Sequence, residues 1–236
     1  MIVNVVECLG GMQRAKGLIV VIDVFRSSTV GYYVVNNGVQ EYLATDSLEL
    51  AREIATAKGG KVVGEQKDVP VEAFDYGNSP TLFEDLDLSS ETFVHSTNAG
   101  TRGVVAACDK GDEVIIGSFV NSAAVVEYIR SREPEIVTLV AMGTGGTMRA
   151  QEDMMCAMYI KNELEDYPNS FKTLKSFLAS VDSAQKFFDD DRPDAPESDF
   201  ELCMDLDRFD FVLKAEVVQD GCVRLQKIDV GSGEKA

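Results

Sequence analysis

Short apolar runs rich in Val and Ile recur along the chain, each followed by a polar or glycine-containing turn and then a segment of helical periodicity. This alternation predicts strands near 2–6, 18–24, 40–44, 62–65, 92–96, 113–117 and 136–142. Helices then fit 27–36, 47–58, 101–108, 121–132 and 151–166. Three runs, GLIVVIDVF, EVIIGS and EIVTLVAM, are apolar nearly throughout rather than alternating. Strands covered by helices on both faces must be so, which makes these the central strands. The helix over 47–58 has Asp46 or Ser47 to cap its start and the Gly59–Gly60 pair to stop it. The pattern predicts an α/β fold, a three-layer α/β/α sandwich on a largely parallel or mixed central sheet.

Past residue 167 the rhythm changes. A helix over 170–188 and an amphipathic stretch over 198–208 flank an acidic, proline-containing segment from Asp189 to Asp199, and the acid-rich run from Asp189 to Asp207 is read as a solvated face. The run FVLKAEVVQDGCVRLQKI reads as two strands around Asp220–Gly221, hence a C-terminal antiparallel hairpin. No linker divides the chain, so one domain is expected over 1–230, with a frayed tail over 231–236.

Composition narrows the function. Forty acidic against 22 basic residues give a net charge of −18, which repels nucleic acid and anionic membranes and leaves small molecules as the expected partners. A single histidine, His95, excludes the two- and three-histidine zinc sites, and any Ser–His–acid triad would have to use it. His95 reads as a packed strand residue, with a general-acid role as the alternative. Five cysteines without a CxxC pair imply neither a disulfide framework nor a zinc knuckle and fit a reducing cytoplasm. The N-terminus carries no leader pattern, and no apolar run approaches the ~18–20 residues of a membrane-spanning helix. A homodimer is expected only because two-fold oligomers are common.

In an open parallel sheet, ligands bind beyond the carboxyl ends of the strands, so the residues that follow each strand form one set. They are Asp23, Arg26 and Ser27-Ser28-Thr29; Gly64-Glu65; the FDYGNSP segment with Asn78; Ser96, Thr97, Asn98, Gly100, Thr101 and Arg102; Ser118 and Asn121; and Gly143 to Gly146 with Glu152-Asp153. Helix starts built of small residues offer free N–H groups, arginine offers a fork for phosphate, and clustered carboxylates offer hard oxygen ligands for Mg²⁺. Together these parts suit a phosphorylated small molecule. The GTGG run lacks the third glycine of a dinucleotide fingerprint, where Met148 stands, and no GxxxxGK[ST] loop exists.

The series VIDVFRSST (Val21 to Thr29), GE (Gly64, Glu65), FDYGNSP (Phe74 to Pro80), STNAGTR (Ser96 to Arg102), GSFVN (Gly117 to Asn121) and ED (Glu152, Asp153) resembles the 2-phosphosulfolactate phosphatase family. The likeness spans about residues 20 to 210 and includes the late DFELCMDLDRFDFV stretch. It implies a Mg²⁺-dependent phosphatase on a three-layer fold, hydrolysing 2-phospho-3-sulfolactate to 3-sulfolactate as in coenzyme M biosynthesis. The substrate would be a small phosphorylated sulfonate or 2-hydroxy acid.

On this reading Asp23, Glu65, Glu152 and Asp153 are the candidate Mg²⁺ ligands, and Asp23, Arg26 and Glu65 the candidate catalytic residues. Arg26, Arg102, Lys67 and Arg149 would gather positive charge, Arg26 and Arg102 foremost. The residues Ser27, Ser28, Thr29, Asn78, Ser96, Thr97, Asn98, Gly100, Thr101, Arg102, Ser118 and Asn121 would bind substrate. The attacking group is either metal-bound water or a carboxylate, for which Asp23 is the choice. A non-catalytic receptor for a small polyanion would use the same crevice, but it has no need of four carboxylates.

Overall fold

A computed structural model describes residues 1–230, so the expected tail lies outside the described residues. Its first half contains β1 (Ile2–Glu7), α1 (Cys8–Met12), β2 (Leu18–Ile22), α2 (Ser27–Asn36), β3 (Glu41–Thr45), α3 (Leu48–Lys58), β4 (Lys61–Glu65) and β5 (Tyr76–Gly77). Then follow β6 (Thr92–Thr97), α4 (Gly100–Cys108), β7 (Glu113–Gly117), α5 (Ser122–Arg132), β8 (Ile136–Ala141) and α6 (Gln151–Leu164). The C-terminal part holds α7 (Phe171–Leu178), a 3₁₀ segment (Asp182–Phe188), α8 (Glu197–Cys203), β9 (Phe211–Gln219) and β10 (Cys222–Asp229).

All ten strands join one mixed sheet in the order β1-β8-β2-β7-β9-β10-β3-β6-β4-β5. The three apolar runs are β2, β7 and β8, adjacent and in the interior of the sheet. Alternate residues of β2 explain why the run must be apolar throughout. Leu18, Val20 and Ile22 pack into one core cluster with α5 and α6, while Ile19 and Val21 pack into another with α2 and α4. A third cluster lies under α3. Ser47 caps α3 by accepting the Leu50 N–H at 3.3 Å, and Gly59 ends it at φ 66°.

The C-terminal hairpin forms, with Gly221 at φ 71° in its turn. It does not lie at an edge. It is inserted between β7 and β3, antiparallel to both, and so joins two otherwise parallel halves of the sheet. The β7–β9 junction spans only the pairs Ile115–Lys214 and Ile116–Leu213. Tyr32 reinforces it: its hydroxyl donates to the Ile116 carbonyl at 2.7 Å and accepts from Asn121 Nδ2 at 2.6 Å and the Leu213 N–H at 3.3 Å.

Two expectations need correction. The helix over 170–188 is broken, because Val181 takes an extended conformation (φ −79°, ψ 154°) as its side chain enters the core, and a 3₁₀ segment follows. The acidic stretch is not solvated throughout, since Asp199 is fully buried against Arg26. The amphipathic stretch over 198–208 is helical up to Cys203, where α8 ends.

Candidate active site

Beyond the carboxyl ends of β2, β4, β6 and β8 lies a cavity of about 660 Å³. Asp23, Glu65, Glu152 and Asp153 all line it, although they come from three separate parts of the chain. The turn after β2 aims Asp23: its N–H donates to Ser28 Oγ at 3.1 Å, and its Oδ1 accepts the Ser27 N–H at 3.3 Å. Ser27 and Ser28 therefore shape the turn from behind, and Thr29 bonds to the Val24 carbonyl and to Ser118 Oγ.

The first turn of α6 carries Glu152 and Asp153, both buried. Asp153 ties two strand ends together, its Oδ1 accepting the Val24 N–H at 2.8 Å and its Oδ2 the Gly143 N–H at 2.7 Å. Ser183, on the 3₁₀ segment, donates to Glu152 Oε2 at 2.5 Å. Glu65 ends β4 and accepts from Arg26 Nη2 at 2.9 Å. The preceding Gly64 has φ 154°, and a side chain there would run into the Ser96 carbonyl.

Packing so many carboxylates together has an electrostatic consequence. Burial, with the charges of Glu152 and Glu65, raises Asp23 to about 6 despite Lys186 and the Ser27 N–H. Burial and the Asp23 charge push Asp153 well above the usual carboxylate range, and burial also raises Glu152. For Glu65 burial acts upward too, but the neighbouring Arg26 and Lys186 charges outweigh it and the net shift is downward. The cleft holds more negative charge than its own cations neutralise.

The cations are not placed as the sequence implied. Arg26 is only 2% exposed. Its Nη1 donates to the Asp194 carbonyl at 2.6 Å and to Asp199 Oδ2 at 2.7 Å, and its Nη2 to Glu65. It borders the cleft but is engaged in a buried ion-pair network. Arg102 is exposed on α4, outside the cavity lining, and Arg149 pairs with Glu7 at 3.0 Å. Lys67 stands exposed at the cleft. The cation missed is Lys186, which lines the cleft from the 3₁₀ segment and donates to the Phe25 carbonyl at 3.3 Å. In the sequence it is one lysine in an amphipathic SAQKFF run, with no motif to mark it.

Of the remaining candidates, Asn78, Thr97 and Asn98 line the cavity. Thr101 and Thr97 hold each other, the Thr97 N–H donating to Thr101 Oγ1 at 2.8 Å. Ser96 Oγ accepts from Gln66 at 3.1 Å. Ser118 and Asn121 form a capping box and lie behind the cleft, where Asn121 serves the Tyr32 junction. His95 is buried outside the lining. Its Nδ1 accepts the Tyr42 hydroxyl at 2.5 Å, and its Nε2–H donates to Asn78 Oδ1 at 3.1 Å, since that oxygen can only accept. Burial lowers His95 to about 3, so the ring is neutral and orients Asn78.

Residues 6–217 match the model of the 2-phosphosulpholactate phosphatase family. The chain belongs to that family. A probable 2-phosphosulfolactate phosphatase of Clostridium perfringens (strain 13 / Type A) is 33% identical over 189 residues, covering 75% of each chain. Another, from Thermotoga petrophila, is 27% identical over 168 residues, covering 71% of this chain and 72% of its own. A third, from Clostridium tetani, is 28% identical over 195 residues, covering 80% and 82%. The matched span includes every carboxylate of the cleft and Lys186. Among the described residues no helix is long and apolar enough to cross a membrane.

Proposed function

We propose that the cleft hydrolyses a small phosphate monoester, 2-phospho-3-sulfolactate, to 3-sulfolactate and phosphate, as in coenzyme M biosynthesis, and that it does so with Mg²⁺. Family membership supports the phosphatase reaction, and the named substrate is that of the relatives. The observation that carries the metal is the gathering of five carboxylates, Asp182 with the four expected, around one cavity, three of them raised in pKa by burial, to which neighbouring carboxylate charges add for Asp23 and Asp153. Such a site lacks positive charge that a dication would supply.

The donor set fits Mg²⁺. No group of three or more His, Cys, Asp or Glu side chains among the described residues is arranged to hold a metal. Mg²⁺ does not require one, because it commonly takes one or two carboxylates and fills its other positions with water and substrate phosphate. Asp153 has both oxygens occupied by backbone N–H groups, and Glu65 is held by Arg26. Asp23 and Glu152 are therefore the residues that would hold the ion. When bound it would neutralise charge on the phosphoryl group and orient the attacking water.

The protein's own residues do the rest. Asp153 keeps the ends of β2 and β8 together and so fixes the floor on which Asp23 stands. Ser183 orients Glu152 through its hydrogen bond. Gly143 and Gly145, at φ 68° and 61°, let the loop after β8 run close along the cleft where a substrate would lie. Five free cysteines fit a protein of the reducing cytoplasm.

Phosphate release from a panel of phosphorylated 2-hydroxy acids, with Mg²⁺ and with excess EDTA, tests the reading. Turnover of the sulfonate substrate that EDTA abolishes is expected. Undiminished turnover in EDTA overturns the metal, and no release from any member overturns the phosphatase.

A further inference from the structure

An anionic substrate entering a cleft of five carboxylates needs a cation that is free to meet it. Arg26 has both terminal nitrogens committed to Asp199, Asp194 and Glu65, and Arg149 is paired with Glu7. Arg102 stands outside the lining, and Lys67 is at the exposed mouth.

Lys186 differs from all of these. Lys186 lines the cavity, and its ammonium donates one hydrogen bond, to the Phe25 carbonyl at 3.3 Å. No carboxylate among the described residues pairs with it within 4.0 Å. An ammonium has three donors, so two remain for a ligand. The segment that carries it is also held in place: Ala184 and Phe187 pack into the core, and Ser183 bonds to Glu152. The Lys186 Nζ lies 5.1 Å from the centre of the Phe187 ring.

We propose that Lys186 is a catalytic residue whose ammonium contacts the non-bridging oxygens of the phosphoryl group bound in the cavity that Lys186 lines together with Asp23 and Glu152. This rests on the phosphate-ester reading of the cleft. A fixed cation aimed at the place where negative charge gathers stabilises it without reorganisation. The partly buried setting strengthens that contact relative to water. The role falls to the segment after the break at Val181, which brings both Ser183 and Lys186 to the cavity.

The test is Lys186→Met, which keeps the aliphatic stem, beside Lys186→Arg. Inorganic phosphate binding is measured by calorimetry with Mg²⁺ present, and turnover on the substrate panel. Lys186→Met is expected to bind phosphate roughly ten- to a hundredfold more weakly and to lose kcat/KM to a similar degree. Lys186→Arg should recover most of the binding. Should Lys186→Met not fold, acetylation of the unaltered protein followed by mass spectrometry gives the same answer, with phosphate protecting Lys186 from the reagent.

Unchanged phosphate affinity in Lys186→Met, equal labelling with and without phosphate, or no phosphate binding by the parent protein overturns the proposal. A parent that hydrolyses no member of the panel but binds phosphate through Lys186 overturns the phosphatase and leaves the contact standing. A parent that hydrolyses the ester while Lys186→Met does so equally well overturns the contact alone.

Discussion

Gly100 stands so close to Asp23 that a Cβ on it would lie 2.7 Å from Asp23 Oδ2 and 2.6 Å from Ser27 Oγ. The start of α4 thus presses on the turn after β2 at Asp23, one of the two carboxylates common to the metal and catalytic readings. Gly100→Ala must displace either Asp23 or the helix, at an overpacking cost of about 1–3 kcal/mol. A lowered thermal midpoint together with a large loss of phosphate release is expected. Gly10→Ala in α1 is the control, because nothing lies within 4 Å of a Cβ there. If the two variants behave alike, the close approach has no bearing on the site.

Asp23→Asn tests what the Asp23 carboxylate does. As a ligand it contributes negative charge, so the amide weakens Mg²⁺ binding and turnover returns in part as Mg²⁺ is raised. As a nucleophile it is consumed in bond formation, so no concentration of Mg²⁺ restores turnover. The assignment of Asp23 and Glu152 to the metal predicts partial recovery. Turnover measured across a Mg²⁺ titration, with the thermal midpoint followed in parallel, separates these outcomes from a fold defect.

The elements that position this chemistry differ in how legibly the sequence carries them. Residues 18–22, 113–117 and 136–141 are apolar on both faces, and only interior strands tolerate that, so β2, β7 and β8 are legible without any partner being known. The four carboxylates are legible for a similar reason, since each closely follows a strand or opens a helix. The position of the hairpin is not legible, because nothing in Phe211–Gln219 records that it pairs with β7 nearly a hundred residues earlier. Arg26 shows the same limit. Its partners Asp194 and Asp199 lie 168 and 173 residues away, so a residue that reads as a phosphate fork is used up by a contact no local pattern announces. Lys186 is the converse, a surface-type residue until the fold brings it to the cleft.

Asp199 is fully buried, and its two oxygens serve four groups: Arg26 on one side, Ser79 Oγ, the Thr81 N–H and Thr81 Oγ1 on the other. Asp199→Asn would leave the Arg26 guanidinium short of a countercharge in a dry site, a loss on the order of 3–5 kcal/mol. Denaturant unfolding should show that loss with little change in slope. Arg26→Met combined with Asp199→Leu removes this pair, and part of the stability should return, because replacing a buried pair by apolar groups is often close to neutral, while Glu65, Ser79 and Thr81 lose a partner. A double variant as unstable as the single one would mean that the network, not the unpaired charge, sets the cost.

In the metal-free protein the contribution of Asp23 to stability should fall as the pH rises through the range in which it ionises. Its folded pKa, about 6, lies above the ordinary carboxylate value of 3.8, so between those two values the folded state binds more protons than the unfolded state. Stability from this group is then complete below about pH 4 and is withdrawn as the pH climbs to 6, on the order of 2–3 kcal/mol in all. His95 acts in the opposite sense. Its folded pKa is lowered to about 3 from 6.5, so its contribution is present at neutral pH and is lost as the pH falls. The two slopes partly cancel in the parent, and only variants reveal them. In EDTA, Asp23→Asn should make stability rise more steeply between pH 4 and 6 than in the parent, and His95→Gln should make it fall more steeply. Denaturant midpoints measured across that range check both signs. Added Mg²⁺ should reduce the loss near pH 6 in the parent but not in Asp23→Asn, and equal effects on both would remove Asp23 from the ion's ligands.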